Sequence, residues 1–172
     1  MRQHSRTMAI CGLTAALALV LMSLGSAMMV MTYACPVLVG ILLLCVREEL
    51  GKKWSVTLWI AIGLLGLMLV PELEMVVLFI GVFGWYPSAK PFFDKLPKVP
   101  GLIVKLLCLN GATVLVYWIL FRIMGIQDMP ETLWMWVIML VLFNVMFFFY
   151  DLMLERLCHT LVPRLRKLFP KH

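Results

Sequence analysis

Residues 7–46 read TMAICGLTAALALVLMSLGSAMMVMTYACPVLVGILLLCV and contain no Asp, Glu, Lys or Arg. A membrane-crossing helix needs about 20 apolar residues, within a range of about 17–25. The stretch is too long for one crossing and suits two. Gly25-Ser26 predicts the turn between them, with span 1 at 7–24 and span 2 at 28–46. Pro36 falls inside span 2 and predicts a kink, with the freed carbonyl satisfied by neighbouring helices. Gly25-Ser26-Ala27 also has the small-residue character of a leader cleavage site. The apolar run continues to Val46 without a polar start, so cleavage is not expected.

The same reading extends outward. Charge-poor stretches recur at 54–86, 100–121 and 132–150. The first again holds two spans, 54–70 and 73–87, around a turn at Pro71-Glu72-Leu73-Glu74. Proline and acids suit a helix start, where negative charge meets the positive end of the helix dipole. Trp54, Trp85 and Tyr86 are expected at headgroup level. Residues 88–100 mix three prolines with basic and aromatic side chains, and predict a loop or half-helix lying in the interface. Span 5 follows at 101–123, an outer turn at 125–131 and span 6 at 132–154. The expected fold class is all-α: a polytopic membrane bundle of six transmembrane helices in one domain, 1–154, with a cytoplasmic tail, 155–172.

Composition agrees. The chain has 172 residues, 63% hydrophobic and 14% charged, with a mean hydropathy of +1.01. Soluble domains are about 45–50% apolar and about 25% charged. A soluble enzyme, a secreted disulfide scaffold and a disordered chain are all excluded on this ground. Of 15 Lys and Arg residues, all but Arg122 fall on one side when the N-terminus is placed inside. Glu72, Glu74, Asp128 and Glu131 then lie on the outer side. The asymmetry predicts both termini in the cytoplasm. It explains the net charge of +6 without a nucleic-acid partner. In the tail, Leu157, Leu161, Leu165 and Leu168 alternate with Arg156, Arg164, Arg166, Lys167 and Lys171. That is either a basic amphipathic helix for an anionic leaflet or a helical stop-transfer flank.

Polar groups inside hydrocarbon are expensive and need a partner or a function. Spans 5 and 6 are expected to be antiparallel neighbours. Lys105 with Asp151, Asn110 with Asn144 and Arg122 with Glu131 then fall at matching depths. They read as interhelical hydrogen bonding or as a polar seam open to a ligand. Glu72 and Glu74 cap an outer turn or attract a cationic ligand. Gly12 and Ala16 on span 1, with Cys11 and Ala15 beside them, predict a close-packing face, in this chain or against another subunit. Gly63 and Gly66 predict a second. Met22, Met28, Met29 and Met31 suggest a flexible apolar lip, or thioether ligands for a soft metal. The five cysteines show no CxxC spacing and read as packing residues. No metal centre, cofactor or catalytic residue is expected, because no phosphate loop, GxSxG, HExxH or kinase pattern occurs.

Six spans, both ends inside and small residues on span 1 resemble the substrate-binding S subunits of energy-coupling-factor (ECF) transporters. The resemblance implies a bacterial plasma-membrane protein that takes a solute from outside. It implies docking, through Gly12 and Ala16, on a coupling membrane subunit that works with ATPases. The family's Ala-x-x-x-Ala motif is here Gly-x-x-x-Ala. The ligand mouth would lie between residues 25–34, 71–75 and 125–131, with Asn110, Asn144 and Trp118 within reach, for an apolar or cationic ligand. Phe83-Gly84-Trp85-Tyr86-Pro87 with Lys90-Pro91 also resembles small membrane proteins of Gram-positive bacteria. The alternative is a non-transporting scaffold, similar to the small six-span subunit of bacterial cell-shape complexes. A proton or small-ion carrier using Lys105 and Asp151 is a third possibility.

Overall fold

The computed structural model describes residues 2–28, 31–95, 97–124 and 133–168. Every regular element among them is helical: α1 (Arg2–Ser26), α2 (Ala34–Leu50), α3 (Lys52–Leu69), α4 (Leu73–Leu78), a π-helical turn (Phe79–Phe83), α5 (Tyr86–Phe93), α6 (Lys98–Met124) and α7 (Leu133–Leu168). Four helical stretches are long and apolar enough to cross a membrane: Ser5–Ser26, Lys52–Leu69, Leu73–Phe93 and Pro100–Leu120. Helices suit lipid because they close their backbone hydrogen bonds within one segment. The chain divides into two units, Met1–Gly125 and Ile126–His172.

In the first unit α1, α2 and α3 pack on one another, and α2 also packs on α5 and the π-helical turn. The inner face of α1 is Cys11, Ala15, Ala18, Met22 and Gly25, a helical stripe of small and flexible residues. Its opposite face leaves Leu13, Leu17, Val20 and Leu24 exposed. On α3, Leu58, Ile62 and Gly66 point inward, while Leu64 and Met68 are 62% and 85% exposed. Side chains this apolar and this bare suit contact with lipid chains rather than water.

Several boundaries differ from the expected ones. Gly25 does not break span 1: the helix runs through it to Ser26. A Cβ there would strike Cys35 Sγ and come within 3.3 Å of Met75 Cε, so this glycine serves close helix approach. Pro36 does not kink α2. It is the third residue of the helix, where the backbone N–H has no partner to lose. The charged stretch 47–53 is helical except at Gly51, which alone joins α2 to α3. Met22 is fully buried in the core rather than on a lip, whereas Met28 and Met31 are exposed and Met29 lies outside the described residues. Residues 88–93, expected at the interface, belong to α5. Ser88 and Lys90 are buried there, and Tyr86, expected at headgroup level, is buried and stacks on Phe93. Gly63 and Gly66 do sit in close contact, facing Ile80 and Val76.

Gly51 has φ +98° and ψ 170°, a region open in practice only to glycine. Gly51→Ala is expected to cost about 1–3 kcal/mol, read as a lower midpoint in reversible detergent unfolding. An unchanged midpoint would show that the hairpin relaxes without strain.

In the second unit α7 runs past residue 154 to Leu168 without a break, so the helix itself carries the beginning of the tail. Phe143, Phe147, Tyr150 and Leu154 are buried on one helical face, and Val141, Leu142, Val145 and Phe149 are exposed on the other. Tail side chains from 158 onward, and residues 125–132 with Asp128 and Glu131, where an outer turn is expected, lie outside the described residues.

Candidate functional site

The first unit has chemically opposite ends. At one end, Ser55 Oγ donates to the Leu43 carbonyl at 3.2 Å and lies 3.1 Å from Ser88 Oγ, tying α2, α3 and α5 together. Nearby on the chain, Lys105 Nζ donates to Asp94 at 2.8 Å, and Lys90 Nζ lies 3.9 Å from the same carboxylate. Around Gly51, where α2 hands over to α3, lie Arg47, Lys52 and Lys53 together with Glu48 and Glu49, Arg47 pairing with Glu48 at 3.2 Å, so the positive charges are in excess. This end is basic.

The other end gathers acids and hydroxyls. Residues 31–33 form the turn before α2, and Glu72 is the residue before α4. Thr32 Oγ1 donates to Glu72 Oε1 at 2.6 Å. Tyr33 Oη donates to Glu74 Oε1 at 3.1 Å, and Tyr117 Oη from α6 donates to the same oxygen at 3.3 Å. Three separate segments thus meet at two carboxylates. Glu72 Oε2 is buried and has no hydrogen-bond partner among the described residues. Neither carboxylate meets a cation among those residues.

Burial pushes the Tyr33 phenol above its ordinary ionisation range, and the Glu74 carboxylate adds to the shift. Tyr33 therefore remains a proton donor to Glu74 through neutral pH. The neutral phenol is favoured by the fold, so its contribution to stability is complete below about pH 10 and is lost as pH rises further. Tyr33→Phe is expected to reduce the loss of stability at alkaline pH in a stability–pH profile. A profile identical to the wild type would contradict this role.

The expected site residues separate into those the cluster contains and those it does not. Glu72 and Glu74 are part of it. Trp118 is not: it is 60% exposed, with the Arg122 guanidinium 5.6 Å over its ring. Tyr117, one position earlier, is the residue that reaches Glu74. Asn110 Nδ2 donates to the Leu106 carbonyl at 2.9 Å, and Asn144 Nδ2 to the Leu140 carbonyl at 2.7 Å. Each amide thus bonds one turn back along its own helix. Lys105 is joined to Asp94, and Asp151 is half-buried on α7. Glu131 lies outside the described residues. Gly12 and Ala16 are exposed, with nothing within 4 Å of a Cβ built at Gly12, so this pair is not a packing face for the described residues. The face that packs is Cys11 and Ala15 beside it.

Thr32, Tyr33 and Tyr117 were not anticipated. For Tyr117 a signal existed in the sequence. Leu109, Thr113, Val116 and Leu120 form the buried stripe of α6, and residue 117 adjoins it while 118 points away. Cys11, Cys35, Cys45 and Cys108 are free thiols. Among the described residues no three His, Cys, Asp or Glu side chains gather closely enough to hold a metal ion. No protein-family model matches the chain, and no curated protein or solved structure is detectably similar to it.

Proposed function

We propose that the chain is an integral membrane protein of six crossings with both termini in the cytoplasm, and that it binds a small solute entering from the outer face. In this reading it works as the S subunits of ECF transporters do. The observation that carries the reading is the convergence of Thr32, Tyr33, Glu72, Glu74 and Tyr117 at the end of the first unit opposite its basic residues. The positive-inside tendency puts the basic end in the cytoplasm and this cluster on the outer side. A few polar groups converging among apolar helices is the usual form of a small-molecule site.

Purification from its native membrane in mild detergent, followed by mass spectrometry of the released small molecules, tests the reading. A stoichiometric solute, lost in a Glu72→Gln/Glu74→Gln variant that stays monodisperse, is the expected result. Co-purification of a coupling membrane subunit and ATPases would support the ECF comparison.

The second reading is a scaffold without a solute, in a bacterial plasma membrane. The exposure of Gly12 and Ala16 fits it as it fits docking on a coupling subunit, since small residues on a bare helix face let another helix approach closely. Capture of envelope-synthesis proteins with no bound solute would decide for it.

A further inference from the structure

The bare face of α6 ends in a way that those of α1 and α3 do not. Leu107, Gly111, Val114, Leu115, Trp118 and Arg122 are all exposed and recur at three- and four-residue spacing, so they form one stripe along the helix. A Cβ built at Gly111 meets nothing within 4 Å, which leaves a furrow in the stripe between Leu107 and Leu115. The apolar span closes at Leu120, and Arg122 lies just beyond it. The Arg122 guanidinium carbon sits 5.6 Å from the centroid of the Trp118 ring, within the reach of a cation–π contact. Arg122 meets no carboxylate among the described residues. α1 and α3 also expose apolar faces, but neither has a basic residue in its last turn. The helix dipole favours a cation where Arg122 stands. It accounts neither for the indole beneath the guanidinium nor for the furrow farther along the stripe.

At a rise of about 1.5 Å per residue, the stretch from Gly111 to Arg122 is about 16 Å long. That is about half of a hydrocarbon core of about 30 Å, the depth of one leaflet. A cation, an amphipathic ring and a furrow among aliphatic side chains thus follow one another at the depths of a lipid's phosphate, its ester region and its acyl chain.

Going beyond the solute reading and independently of it, we infer that this stripe of α6 binds one phospholipid of the outer leaflet. The Arg122 guanidinium takes the phosphodiester through paired N–H donors. The Trp118 indole covers the glycerol region, and one acyl chain lies over Leu115 and Gly111. The choice of leaflet follows from the orientation proposed above, whereas the match of phosphate and chain to the stripe does not depend on it.

The test is native mass spectrometry of the full chain, titrated in detergent with dioleoyl phosphatidylglycerol, dioleoylglycerol and glycerol 3-phosphate. The first probe carries phosphate and chains, the second chains alone and the third phosphate alone. One phospholipid per chain is expected to bind about tenfold more tightly than either fragment. Arg122→Gln is expected to weaken it by about tenfold, and Arg122→Lys, which keeps the charge and loses the planar fork, by less. Gly111→Leu fills the furrow in open space. It is expected to weaken the phospholipid by about threefold without lowering the midpoint of unfolding. Dioleoylglycerol bound as tightly as the phospholipid would show that no phosphate is read. Glycerol 3-phosphate bound as tightly would show a site for a soluble anion. Either result overturns the inference, as does a phospholipid that fails to bind or that binds Arg122→Gln and Gly111→Leu as it binds the wild type.

Discussion

Gly84→Ala is expected to destabilise the protein by about 3 kcal/mol, at the upper end of the usual cost of overpacking. A Cβ at this position would strike the Trp59 ring, lying 2.7 Å from its Nε1, and would sit 2.8 Å from the Phe79 carbonyl oxygen. Trp59 is a large ring packed against the core, and the Phe79 oxygen is backbone held by the Gly84 N–H at 2.7 Å. Neither gives way as the end of a flexible side chain does. The crowding arises because the helix widens here into a π-helical turn. Pro87 follows at the start of α5. Its ring would clash with the carbonyl four residues back in a continuous α-helix, at Phe83, and the wider turn with Gly84-Trp85 carries the chain past that conflict. Denaturant titration of purified protein in mixed micelles, followed by tryptophan fluorescence, measures the loss. A Gly84→Ala variant as stable as wild type would mean that the close approach of α3 to this turn does not matter.

Phe79→Ala is expected to cost about 3 kcal/mol, the low end of the range for deleting a buried phenylalanine. Phe79 is fully buried at the junction of α4 and the π-helical turn. In water such a deletion forfeits both burial and packing. In a bilayer the unfolded reference already sits among hydrocarbon, so burial contributes little and the loss is mainly that of dispersion contacts around the cavity. The low end of the range follows from that argument. Phe92→Ala is the control, because Phe92 is 72% exposed, and it should change stability by less than about 0.5 kcal/mol. Equal effects at the two positions would mean that burial does not rank these side chains.

The apolar helices were legible because lipid imposes one strong rule: the backbone must close its hydrogen bonds locally, and side chains over about 20 residues must be apolar. Residues 7–46 form most of α1 and most of α2, and of these two helices α1 is the one long and apolar enough to cross a membrane. What was not legible depends on partners distant in the chain. Gly25 looks like a turn residue until Cys35 and Met75 are known to press against it. Pro36 looks like a kink until α2 is known to begin at Ala34. Three prolines between 88 and 100 leave a loop and a half-helix both open; the structure has the short helix α5, with Pro91 inside it and Lys90 beside it buried.

The candidate site was half legible. Acids at a helix start stand out in a chain so poor in charge, and Glu72 and Glu74 are legible in that way as part of the cluster. The phenols were missed because one position on a helix is about 100° of rotation. Trp118 is the residue expected within reach of a ligand, while Tyr117 next to it carries the contact to Glu74. Thr32 and Tyr33 sit in a short turn whose sequence has no charge to mark it.

Everything proposed for the outer cluster requires that the Pro71 turn and the Gly51 turn lie on opposite sides of a bilayer. Single cysteines at Pro71 and at Lys52, both exposed, introduced into a cysteine-free background, test this with a membrane-impermeant maleimide on intact cells. The account predicts that Pro71→Cys is labelled directly and that Lys52→Cys is labelled only after the membrane is permeabilised. Labelling of Lys52→Cys in intact cells, with Pro71→Cys protected, would contradict it.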